Sequence, residues 1–323
     1  MLLGRGRRVR RSTTIRPAMP IVLRWFLRLG ITNPITVRLV QNGSRRMRHL
    51  YIRAGYLAVL ILVLLWVMLT QGGAQALSYR ELAQAGASSF AYVAYLQIGL
   101  ICVLAPVFMA GAIAQEANPR TWEVLLTTPM SALQIVLGNL IGRLFFILAL
   151  LFSSLPLFAL TQYFGGVPGR SIFASYAIAG CAALLVGTVA IALSVSRLVG
   201  KRAVFAFYIA VVSYLALTIA VDMFLRSAGE GAGKSGQGVT WLTAINPFLA
   251  LEALLDPSGY PRAEPGTLTG LKAWALESPV STWCYGSILL SLLLVGISTF
   301  TVRLGGLGAI TGGGESSGIP WYR

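Results

Sequence analysis

The sequence predicts an all-α integral membrane protein of about six transmembrane helices, and three observations carry that reading. Of its 323 residues, 56% are hydrophobic and only 11% charged, against about 25% charged residues in ordinary soluble domains. The apolar residues are gathered into six blocks, each long enough to cross about 30 Å of hydrocarbon as a helix. The charge between the blocks is unevenly shared: residues 1–53 hold 13 arginines and no acid.

The elements follow in chain order. Residues 1–53 form a basic cytosolic or interfacial segment. Within it, PIVLRWFLRLG and NPITVRLVQNGSRRMRHLYIR read as one or two amphipathic helices on the inner leaflet. Trp25, Phe26 and Leu29 supply an apolar side, with Arg24 and Arg28 one turn apart. The plainer alternative is a solvated basic tail that sets topology.

The six apolar blocks lie near 54–70, 91–114, 137–161, 172–196, 203–225 and 283–303, inside a transmembrane domain spanning 54–304. The second and third contain Pro106 and Pro156, kinks that a bundle tolerates where neighbours take up the freed carbonyls. Gly138 and Gly142 make a G-x-x-x-G at the start of the third. That pattern lets helices approach closely, either between subunits or within one.

Between the second and third blocks, QEANPRTWEVLLTTPMSALQ (115–134) has the signals of a helix of its own. Asn118 reads as its N-cap and Pro119 as its first residue. Trp122, Leu125 and Leu126 fall at i, i+3 and i+4, with Arg120, Glu123 and Thr127 on the other side. Thr128-Pro129 ends it, and Ser131 with Gln134 forms a capping box for the next helix. Such a helix between two spans is a surface to be pushed on. Its bland alternative is an ordinary interfacial loop helix.

The outer segment, 226–282, opens with the Gly/Ser linker SAGEGAGKSGQG. VTWLTAINPFLALEALLDP follows, apolar but broken at Asn246-Pro247, and reads as an interfacial or re-entrant helix pair on the outer end of the bundle. Residues 305–323 are a Gly-rich tail. With the N-terminus inside, 20 of the 26 basic residues and three of the ten acids are cytosolic. This balance places both termini in the cytosol of a cell (cytoplasmic or inner) membrane.

Several functions are disfavoured. The basic total is explained by orientation in the bilayer and needs no nucleic acid. AGEGAGKS (228–235) departs from the phosphate-loop pattern at Ala228 and follows a membrane span where a strand is needed. His49 is the only histidine, so neither a His-based triad nor a His-ligated metal centre can form in the bundle. Cys102, Cys181 and Cys284 sit in apolar blocks without metal spacing. The sequence therefore nominates no catalytic, cofactor-binding or metal-ligating residue. Arg143 and Asp222 are near enough to an interface to snorkel, and the lack of mid-membrane acids speaks against an ion-coupled carrier.

From Glu116 onward the chain resembles the intracellular segment of type-2 ABC transporter (ABC-2) permeases. The matching positions are Glu116, Arg120-Thr121, Glu123, Leu125-Leu126, Thr128-Pro129 and Ile135 to Leu140, with Asn139 where lysine is frequent. NPITVRLVQNGSRRMR is similar to the family's amphipathic N-terminal helix, with Leu39 where glutamate is frequent. INPFLALEALLDP resembles a recurring late segment. The resemblance implies a membrane-spanning permease subunit, working with a second, identical or related permease and with a separate ABC ATPase subunit that hydrolyses ATP to drive export. It also implies that the 116–134 segment between the second and third spans acts as a coupling helix at the ATPase interface. By that resemblance Glu116, Arg120 and Glu123 make polar contacts with the ATPase, Trp122, Leu125 and Leu126 anchor either to it or to the subunit's own inner surface, and Thr121 and Pro129 belong to the same interface. The alternative is a stand-alone membrane scaffold or secondary carrier without an ATPase partner.

Overall fold

Residues 33–44, 47–71, 78–116, 130–195, 202–227, 240–256 and 270–311 are described by a computed structural model. Among them there is no strand, and six helical stretches are long and apolar enough to cross a membrane: His49–Thr70, Tyr79–Met109, Ala132–Tyr163, Gly169–Ser194, Phe205–Ser227 and Pro279–Arg303. In chain order the helices are α1 (Pro34–Ser44), α2 (Met47–Gln71), α3 (Tyr79–Glu116), α4 (Ala132–Ser153) and α5 (Leu155–Tyr163). Then come α6 (Gly169–Val195), α7 (Arg202–Ser227), α8 (Pro247–Leu255), α9 (Leu271–Glu277) and α10 (Pro279–Thr311).

The second spanning helix starts at Tyr79, well before the apolar block near 91. Ser78 and Glu81 cap it reciprocally: the Ser78 amide and hydroxyl each donate to Glu81 Oε2 at 2.8 Å, and the Glu81 amide donates to Ser78 Oγ at 3.4 Å. Ala85, Ser89 and Phe90 are buried in the extra turns, so small residues there serve packing that hydropathy does not register. Helix α3 runs through Pro106 without interruption, whereas the third span breaks. Pro156 has no N–H to offer the Phe152 carbonyl. The Ser154 amide turns to Leu151 O and Phe152 O instead, and α5 restarts at Leu155.

Helices α3 and α10 both pack along α6, with α2, α4 and α7 on their flanks. Leu60, Val93, Ile98, Ile101, Ile147, Phe158 and Ile178 are fully buried at the centre. The seam between α6 and α10 is lined by the buried Ser287, Ser291 and Ser298 of α10. Small side chains let two backbones come close where lipid offers no hydrophobic drive for association. Trp283 Nε1 donates to Ile178 O and Thr188 Oγ1 to Ser291 Oγ, both at 3.3 Å, so the two helices run parallel. Leu62, Trp66, Leu217, Phe224, Leu289 and Ile297 are exposed on the faces of α2, α7 and α10. Apolar surface there suits a hydrocarbon surround.

Four helices and the break meet at one hydroxyl. Ser154 Oγ is fully buried, lies 2.7 Å from Leu151 O, and is reached by Tyr56 OH at 3.3 Å, Gln97 Nε2 at 3.1 Å and Tyr176 OH at 2.9 Å. A serine hydroxyl has one proton and two lone pairs. With its proton on Leu151 O, three donors compete for two acceptor positions.

The 240–256 segment does not sit on the end of the bundle. It runs down and back along α7: Thr240 hydrogen-bonds Asp222, the Ile245 carbonyl accepts from Tyr214 OH at 2.6 Å, and Arg226 Nη1 reaches Glu252 Oε1 at 3.0 Å. Its turn at Ile245–Asn246 is thus level with the middle of α7, the course of a re-entrant hairpin. Phe248 of α8 comes up to Gly99, halfway along α3. Asp222 is 1% exposed and bonded to Arg226 Nη2 at 2.8 Å, so it is paired inside the protein and does not snorkel. Tyr214, Thr218, Asp222 and Arg226 recur every four residues, which sets them on one stripe of α7 facing this hairpin.

Candidate functional site at the α1 end of the bundle

The segment singled out by sequence begins at Glu116, the last residue of α3. Arg120, Thr121, Trp122, Glu123, Leu125, Leu126 and Pro129 lie outside the described residues, as does the stretch with Trp25, Phe26 and Leu29. The described residues form the frame that receives the segment at the start of α4.

The exit from the segment is a completed capping box. Ser131 is the N-cap of α4 in extended conformation; its hydroxyl accepts from the Gln134 amide at 3.3 Å and its amide donates to Gln134 Oε1 at 3.1 Å. Two of the donors that a helix start leaves unpaired are thereby satisfied. The direction in which the chain enters α4 is fixed from its first turn.

Helix α1 lies along those same first turns. It is itself started by an Asn-Pro pair: Asn33 Oδ1 accepts from the Ile35 amide at 3.0 Å, and Pro34 occupies the first helical position. The Asn33 side chain is fully buried because its amide also donates to Gln134 O at 2.7 Å. One turn on, Thr36 Oγ1 donates to Gly138 O at 3.2 Å. A Cβ on Gly138 would stand 2.8 Å from Asn33 Nδ2, and one on Gly142 would meet Leu39 and Thr36. At the far end Gly43 faces the ring of Phe146.

The contacts on α4 therefore fall at 134, 138, 142 and 146, and those on α1 at 33, 36, 39 and 43. A ridge of one helix fills a groove in the other, and the groove exists because residues 138 and 142 have no side chain. The G-x-x-x-G pattern serves packing within one chain. Helix α1 runs parallel to α4, its buried side turned to protein, with Val37 and Arg38 exposed. The expectation of a helix lying on the leaflet is replaced, for residues 34–44, by a helix clasped to the third span.

A second joint ties α2, α3 and α4 at the same end. The His49 ring lies between Phe146, at 4.7 Å and 17°, and Phe108, at 5.5 Å and 14°. Arg143, 9% exposed, reaches the Phe108 carbonyl at 3.4 Å. Like Asp222, it is held inside the bundle. These contacts join α2, α3 at Phe108 and α4 at Arg143 and Phe146.

Sequence reading missed Asn33, Thr36, Leu39 and Phe146 as parts of this frame. A signal was present: the chain has three Asn-Pro pairs, at 33–34, 118–119 and 246–247. The two within the described residues both start helices, Asn246 capping α8 through a 2.8 Å bond from the Phe248 amide. Among the described residues no group of three or more His, Cys, Asp or Glu side chains could hold a metal ion.

Comparison with known proteins accords with this architecture. A sequence model described as ABC-2 family transporter protein matches residues 45–303, well over half of the chain. Among curated proteins, none matches.

Proposed function

The chain belongs to the ABC-2 family of transporter proteins, and from that membership we propose that it is the permease subunit of an ABC transporter, exporting a substrate across the cytoplasmic membrane at the expense of ATP hydrolysed by a separate ATPase subunit. It is a multi-pass membrane protein. The α1 end is the cytosolic end in this proposal, and the segment between the second and third spans, whose own helix opens at Asn118-Pro119 and ends at Thr128-Pro129, acts as the coupling helix. Glu116, Arg120 and Glu123 make its polar contacts with the ATPase, Trp122, Leu125 and Leu126 anchor it to the ATPase or to the subunit's own inner surface, and Thr121 and Pro129 lie in the same interface.

The observation that carries the proposal is the frame. A segment that transmits force must be joined stiffly to what it moves. Residue 131 is locked by its capping box, and the first turns of α4 are clasped by α1. Asn118-Pro119 repeats the pair that starts a helix at both of its other occurrences. When ATP draws two ATPase subunits together, displacement of the coupling helix is passed to α3 and α4 as a rigid shift, and a second permease subunit completes the path. The two states must differ in contact energy for the stroke to do work.

The test is a mild-detergent pull-down of the chain from its native membrane. The expected result is a co-purifying ABC ATPase that is lost on Glu123→Arg while the amount of folded permease is unchanged. A chain that comes down alone, or only with itself, would put the scaffold or secondary-carrier reading in its place.

A further inference from the structure

We propose that Cys181 and Cys284 form a dithiol site that closes to an internal disulfide, stapling the fourth spanning helix to the sixth. The two hydrogen bonds across the α6–α10 seam join 178 to 283 and 188 to 291. Cys181 lies one turn after Ile178 and Cys284 directly after Trp283, so both belong to the stretch of seam between those bonds. Their thiols are neighbours across that stretch, and both cysteines are free. Neither is fully buried, whereas Cys102 is buried alone in the core.

A disulfide needs Cα atoms about 4.4–6.8 Å apart, a distance reached by helices that approach closely over small residues. The buried Ser287 and Ser291 on the same face of α10 provide that approach. Neighbouring thiols need only a modest further movement. In an apolar seam the suitable oxidant is a lipid-soluble quinone. Both S–H bonds break, one S–S bond forms, and two protons and two electrons pass to the quinone to give its hydroquinone.

The experiment uses the full chain in lipid nanodiscs, treated with a fully substituted lipid-soluble benzoquinone, then denatured and labelled with a maleimide. Untreated chain should take up three maleimides, one for each cysteine. Oxidised chain should take up one, on Cys102, and lose the mass of two hydrogens, with full labelling restored by dithiothreitol. Cys181→Ser and Cys284→Ser should each keep both remaining thiols after the same treatment. Three maleimides on oxidised wild type, or a disulfide that joins two chains, would overturn the proposal.

Discussion

Leu39 lies on Gly142: a Cβ added to the glycine would stand 2.9 Å from Leu39 Cδ1 and 3.1 Å from Leu39 Cβ. The pair is the third step of the α1–α4 seam. Gly142→Leu should force α1 off its groove, at a cost of about 1–3 kcal/mol typical of overpacking. Thermal unfolding in detergent measures it. Leu39→Ala in the same chain should recover part of the loss; a purely additive double variant would show that the strain falls elsewhere.

Ser154→Ala should leave Tyr56 OH, Gln97 Nε2 and Tyr176 OH without their shared acceptor in the middle of the bundle. Each buried group left unpaired costs about 1–3 kcal/mol in general, and hydrogen bonds measured in membranes run lower, at about 0.6 on average. A total loss near 2 kcal/mol is expected from the unfolding midpoint (about that figure by the same two scales). Adding Gln97→Leu should give some of it back, since one stranded donor is then gone. No interaction between the two changes would count against a shared hydroxyl.

Arg226→Ala removes the cation that Asp222 and Glu252 share. Breaking a buried pair costs about 3–5 kcal/mol. The low end is expected, because the Arg226 side chain is 25% exposed. Asp222→Asn combined with Arg226→Gln should be better tolerated than Arg226→Ala alone, as read by folded yield and unfolding midpoint. Equal loss would mean that hydrogen bonding outweighs the stranded charge at this position.

His49→Phe should keep the stack between Phe108 and Phe146, and His49→Ala should lose it, at about 0.5–1.5 kcal/mol beyond the area buried. Comparing the two variants by unfolding isolates the ring contribution. If both lose stability equally, the imidazole nitrogens matter more than the face of the ring.

The six-helix plan was legible because hydrocarbon imposes a length and a composition that a sequence cannot disguise. The capping box at Ser131 and Gln134 was legible too, being local chemistry over four residues. The first turns of α3 were not, since Ala85 and Ser89 are buried through fit and carry little hydropathy. The partner of Gly138 was equally hidden, for a glycine pair announces a groove without naming what fills it. Asn33 and Gln134 are 101 positions apart, and only the fold brings them together.

The stripe on α7 bears on how the protein is made. The fifth span is the least buried of the six, and Asp222 finds Thr240 and the shared Glu252 only through residues 18 and 30 positions later in the chain. At about 5–20 residues per second of synthesis, those partners emerge some seconds after the helix itself. During that interval the carboxylate has one companion, Arg226, a single turn along its own helix. An acid and a base four residues apart travel as a neutral unit, so the helix can be handed to the bilayer before the hairpin that later secures it has been translated.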